Sequence, residues 1–224
     1  MDTTQRTPTP ADLETISRQL GRPARDVVEI GARCICGNPL VATTAPRLGN
    51  GIPFPTTFYL THPVITSAVS RLEAAGVMTE MTERLERDEQ LAAAYRRAHD
   101  AYLRSRDEIG QRTGVGAVPE IAGVSAGGMP SRVKCLHVLV GHSLAAGRGV
   151  NPLGDEALDG IAEWWTTDRC YCGGAWDESG PVPDRDLSRH TKTQGLSPDE
   201  LEAKRAERRA AREAGQDAGE EGLS

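Results

Sequence analysis

The stretch "DVVEIGARCICGNPLVATTAP", residues 26–46, decides which fold this chain can adopt. Two runs rich in β-branched residues flank the turn-forming "CICGN", which is the pattern of a β-hairpin. The next segment, "RLGNGIPFP" (47–55), is dense in turn formers, and "TTFYLT" (56–61) supplies a third strand. Connections this short cannot carry a parallel crossover, so the three strands form an antiparallel meander.

Outward from the hairpin the periodicity is helical. On the N-terminal side "TPADLETISRQLG" (9–21) has Thr9 as N-cap, Pro10 in the first helical position and Gly21 as the stop. After Pro63 the apolar residues recur every three or four positions, with Ile65, Val69 and Leu72 in one helix ending at Gly76. "MTEMTERLERDEQLAAAYRRAHDAYLRSRDEIG" (78–110) is one long helix or two joined near Asp88. A glycine-rich loop follows to residue 128. A helical block then opens at Pro130 and closes at Gly147, and a last short helix within "NPLGDEALDGIAEWW" is capped by Asp155. The expected class is α+β: a small antiparallel three-stranded sheet covered by four to five helices between residues 63 and 165, with a disordered C-terminal tail. Residues 10–166 form a single globular domain. Residues 176–224 are charged and nearly devoid of large apolar side chains, too few to offset the entropy of ordering.

Composition narrows the function classes. A net charge of −6 argues against a general nucleic-acid binder, which needs a basic surface. No window is apolar enough to span a bilayer and the N-terminus lacks a signal peptide's apolar core, so no membrane insertion and a cytoplasmic location are expected. In that compartment the five cysteines are reduced thiols, and their odd number and C-x-C pairing favour metal binding or thiol chemistry over disulfides.

The candidate ligands are Cys34, Cys36, Cys135, Cys170, Cys172, His62, His137 and His142. In "VKCLHVLVGHSLAAG" (133–147), Cys135 and His142 are seven residues apart, roughly 10 Å along a helix. They share a zinc ion only if the helix begins after Cys135 or loosens there. His137 falls on the face of Val133, Val140 and Leu144 and is expected in the core, which leaves His142 as the ligand. The first and third strands of a meander run in the same direction, so Cys34 and His62 emerge at one edge of the sheet. Cys34, His62, Cys135 and His142 are therefore one candidate metal set. The pairs Cys34/Cys36 and Cys170/Cys172, in the echoing "CICG" and "CYCG", are another, although C-x-C is less specific than the C-x-x-C of zinc ribbons. Zinc is the first candidate ion and an iron–sulfur cluster the alternative, and a chain whose cysteines and histidines are merely buried remains the third possibility.

The stretches "RQLGRPARDVVEIGARCICGNPLV", "PFPTTFYLTHP", "SRLEAAGVM", "SAGGMPSRVKCLHVLVGHSLAAG" and "NPLGDEAL" resemble, in order, a bacterial family, the domain of unknown function 501. The family pattern carries over to Arg33, Cys34, Gly37, Pro39, His62, Lys134, Cys135, His137 and His142. Cys36 and the Cys170/Cys172 pair are less regular features of it. The resemblance implies no activity.

Two classes of function fit these features. One is a non-catalytic interaction module, in which the Cys/His cluster is structural and the charged surface meets a protein partner. The other is a small metal- or thiol-dependent enzyme, with Arg33 and Lys134 drawing in an anionic small molecule. A closed four-ligand site favours the module and an open three-ligand site the enzyme.

Overall fold

The computed structural model describes residues 6–184. The fold is α+β. Three antiparallel strands, β1 (Val27–Arg33), β2 (Pro39–Thr44) and β3 (Phe58–Leu60), lie in the order β1-β2-β3. Six α-helices surround them: α1 (Pro10–Leu20), α2 (Pro63–Ala74), α3 (Val77–Arg87), α4 (Glu89–Arg112), α5 (Leu136–Ala146) and α6 (Pro152–Gly160). Five of these follow the sheet, and a single 3-10 turn at Pro119–Ile121 interrupts the glycine-rich loop. Part of the segment expected to be a disordered tail, residues 185–224, lies outside the described residues.

Both faces of the sheet are covered. One face carries Ala32, Val41, Phe58 and Leu60 into the main core beneath the helices. The other carries Ile30 and Ala42 against Ile16 of α1. Every residue of the central strand β2 is consequently buried, which is why its sequence is a continuous apolar and threonine run rather than an alternation.

α5 is the hub. It touches all three strands and packs against α2 and α6. Its closest neighbour is α6, and Gly154 makes that possible: a Cβ there would meet the Leu139 carbonyl oxygen and the Ser143 hydroxyl. Around this hub lie Tyr95 and Tyr102 of α4, both fully buried. The Tyr102 hydroxyl accepts the Thr57 N–H at 2.6 Å and donates to the Pro55 carbonyl at 3.2 Å, tying α4 to the chain just before β3.

Three local expectations are refined. The helix over 78–110 divides at Asp88, whose carboxylate caps α4 by accepting from Gln90 and Leu91 N–H. The cap of α6 is Asn151, not Asp155; the Asn151 side chain accepts the Gly154 N–H, while Asp155 turns back to Gly149 N–H. The helical block expected from Pro130 begins only at Leu136. Before it, Val133 N–H is bonded to the Thr82 hydroxyl and Lys134 N–H to the Gly127 carbonyl, so these donors are satisfied sideways rather than along a helix.

Candidate metal centre

The turn at the tip of the β1–β2 hairpin builds half of a site. Gly37 N–H donates to Cys34 O at 2.8 Å and Cys34 N–H to Asn38 O at 2.8 Å. This closure requires a left-handed residue at position 37, and Gly37 supplies it with φ of 93°. The backbone N–H of Cys36 favours the Cys34 thiolate and that of Asn38 the Cys36 thiolate. Cys34 is buried, whereas Cys36 is exposed.

The other half arrives from beyond α6. Cys172 is buried and Cys170 exposed, matching the inner and outer members of the first pair. Behind Cys172 the chain turns again, with Ala175 N–H on Cys172 O at 3.1 Å. Trp176 then sets its ring edge-on to His62, with centroids 5.7 Å apart. His62 stands at the N-terminus of α2, fully buried, with Nε2 3.5 Å from Cys172 Sγ.

One sulfur from each of Cys34, Cys36, Cys170 and Cys172 lies within 4.8 Å of the other three. A tetrahedral ion with zinc–sulfur bonds of about 2.3 Å holds its sulfurs about 3.8 Å apart, so the set closes on an ion with small adjustments. The protonation of the thiols is already divided. Burial, the largest influence on Cys36, acts upward, but the Asn38 N–H and the neighbouring thiols outweigh it and bring the pKa down to about 7. Burial carries Cys34 and Cys172 upward. A soft cation would replace the protons these sulfurs share.

Cys135 belongs to a different group. It is the N-cap of α5 and gathers with His137 and Glu73, their ligand atoms again within 4.8 Å of one another. Cys34 and Cys135, expected in one site, thus fall into two. The two histidines of α5 also occupy positions opposite to those their helical spacing suggested. His142 is fully buried, stacked on Phe58 with 5° between the rings and edge-on to Tyr102. Its Nδ1 is 3.3 Å from Asn151 Nδ2, its Nε2 has no partner, and burial lowers its pKa to about 4, so it is a neutral core residue. His137 is partly exposed and faces α2. The face assignment slipped because α5 is apolar nearly all round: Leu139 and His142 turn into the core, while His137 and Leu144, which share a face, are only partly buried.

Of the two candidate anion-binding residues, Arg33 is engaged within the fold. It forms a two-pronged ion pair with Asp12 at 2.6 and 2.9 Å and also donates to the Gly37 carbonyl. Lys134 is exposed. Cys36, Cys170 and Cys172 had a signal in the sequence, the repeated Cys-x-Cys-Gly. Glu73 had none, since it stands 64 positions from His137 in an ordinary amphipathic helix.

Among the described residues no helix is long and apolar enough to cross a membrane. No curated protein and no solved structure matches the chain. The model of the family described as "Protein of unknown function (DUF501)" matches residues 30–159, which takes in Cys34, Cys36, Glu73, Cys135 and His137 and stops before Cys170. That span is more than half of the 224 residues, and the chain belongs to the DUF501 family.

Proposed function

We propose that the protein is a non-catalytic interaction module in which a structural zinc ion, held by Cys34, Cys36, Cys170 and Cys172, fastens the segment after α6 to the β-hairpin. The observation that supports this reading is the convergence of four cysteine sulfurs, within 4.8 Å of one another, from two turns far apart in the sequence. Four thiolates fill a tetrahedral ion's coordination and leave no position for water or substrate, which is the arrangement of structural zinc sites. Iron in a sulfur-only site has the same geometry, so colour distinguishes the two.

The segment packs on the core through Trp165, Cys172 and Trp176 but has no regular structure of its own. Between Ile161 and Trp176 there is no helix or strand, so cross-linking it through two sulfurs removes much of the freedom it would have. The partner would be another protein: the acidic balance disfavours nucleic acid, and Ile35, at the tip of the hairpin, is 65% exposed between two of the cysteines.

The test is metal analysis of the purified full chain, with its visible spectrum, beside Cys36→Ser and Cys172→Ser. Zinc in a colourless protein, lost from both variants together with a lower melting temperature, supports the reading. A metal-free protein whose melting temperature neither variant alters, or a coloured iron–sulfur protein, overturns it.

A further inference from the structure

We propose that Glu73, Cys135 and His137 form a second zinc site, open at its fourth position. The observation behind it is a conflict of lone pairs. His137 Nε2 lies 3.1 Å from the carbonyl oxygen of Thr66, which can only accept, so Nε2 carries the ring's proton. The Ser70 hydroxyl stands 3.3 Å from the same nitrogen. The lone pair of Nδ1 therefore points into the space it shares with two other donors. Glu73 Oε1 is 3.1 Å away and Cys135 Sγ 3.9 Å away. The Cys135 thiol proton can meet one of the two acceptors, but the Nδ1 lone pair and the Glu73 oxygen still face each other at 3.1 Å, and that contact needs a cation between them. That cation is either a proton, on the ring or the carboxyl, or a metal ion.

The surroundings favour the metal. An imidazole ligand of zinc commonly donates its remaining N–H to a backbone carbonyl, which fixes the tautomer, and the Thr66 carbonyl occupies that position. Tetrahedral zinc bonds of about 2.0 to 2.3 Å place a nitrogen and a sulfur about 3.6 Å apart and a nitrogen and an oxygen about 3.3 Å apart. The observed 3.9 and 3.1 Å bracket those separations closely. One carboxylate and one thiolate with a neutral imidazole balance a doubly charged ion. The backbone also prepares the site. Glu73 sits in the last turn of α2, the end where a carboxylate is disfavoured, yet its Oε1 accepts the Leu136 N–H at 2.7 Å at the start of α5, the end where it is favoured. Cys135 as N-cap and His137 in the same first turn bring their donors to this point.

All three ligands are partly exposed, so the open position faces solvent and takes water or a small anionic donor. This differs from the four-cysteine centre, which has no such position. Since an open site is the arrangement of catalytic zinc, a filled second site counts against the non-catalytic reading above. The two centres share no residue, and the second stands whether or not the first holds zinc. Loading is a simple exchange: zinc enters, and the protons displaced from the Cys135 thiol and, where present, His137 Nδ1 pass to solvent.

The experiment counts metal in the full chain, first as purified and then after equilibration with excess zinc and gel filtration. Partners are Cys135→Ser, and Glu73→Gln, which keeps an oxygen acceptor for the Leu136 N–H. Cobalt loading of the same proteins reports the ligand set. One zinc more in the wild type than in either variant supports the proposal, together with cobalt bands attributable to a mixed sulfur, nitrogen and oxygen set that the variants lack. If both variants retain all the metal of the wild type, the proposal is overturned and the shared cation is a proton. Cys36→Ser, analysed alongside, must keep this equivalent. A loss confined to Cys36→Ser speaks only to the four-cysteine centre.

Discussion

Cys36 Sγ lies 3.5 Å from Cys172 Sγ across 136 positions of sequence, one sulfur at the tip of the first hairpin and the other beyond the last helix. The contact joins the two ends of the domain. It also makes the segment after Trp165 part of the fold, since Cys172 and Trp176 reach the main core.

That contact predicts an asymmetric response to truncation. A chain ending after Asp184 should melt at the temperature of the full protein. A chain ending before Cys170 removes two of the four sulfurs and the Trp176 ring against His62. Its melting temperature should fall by about 5 °C or more, since each ~1 kcal/mol lost shifts a domain of this size by about 2–4 °C. Thermal unfolding of the two chains decides the matter, and equal melting temperatures would contradict the packing described.

Tyr102→Phe tests the link between α4 and β3. The substitution removes an oxygen that accepts the buried Thr57 N–H at 2.6 Å and leaves that donor without a partner. An unsatisfied buried donor costs about 1–3 kcal/mol, more than the average net value of a single hydrogen bond. Urea unfolding should show this loss with an unchanged slope.

The Asp12–Arg33 pair gives the chain an acid-sensitive term. The Arg33 guanidinium, bonded to both carboxylate oxygens, holds the Asp12 pKa at about 2 instead of 3.8, although partial burial opposes this. The folded pKa is depressed, so the stabilisation is complete above about pH 4 and disappears as the pH falls towards 2; its size is about 2 kcal/mol. Asp12→Asn should lower stability at pH 6 and flatten the dependence between pH 4 and 2. An unchanged slope in that window would show that the pair contributes nothing.

Gly154→Ala sets two effects against each other. Alanine is favoured over glycine in a helix by about 1 kcal/mol. Here its Cβ would collide with the Leu139 carbonyl and the Ser143 hydroxyl, one a backbone atom that cannot turn aside. Overpacking of that kind costs about 1–3 kcal/mol or more, so the variant should be less stable despite its better propensity. Chemical denaturation measures the sign directly.

Much of the architecture was legible in residues 9–110, and for local reasons. The N-cap Thr9, Pro10 in the first helical position and the left-handed Gly21 that ends α1 are signals written within a few residues. So are the hairpin turn closed by Gly37 and the change of period at Pro63. The boundary of α5 was less legible, because the partners that hold residues 133 and 134 outside the helix are Thr82 and Gly127. A propensity pattern has no access to such partners.

The chain by itself determined that cysteines and histidines are available in spaced pairs, and that a three-stranded meander puts Cys34 and His62 at the same end of the sheet. Tertiary structure alone decided which of them meet. Cys135 leaves the Cys34 group because α5 begins one residue after it and docks on the end of α2, where Glu73 waits. His142 is withdrawn into the core because α5 crosses the sheet over Phe58. Spacing along a chain constrains only neighbours within a turn or two. Whether two sulfurs 136 residues apart come within reach depends on the sum of all the packing between them.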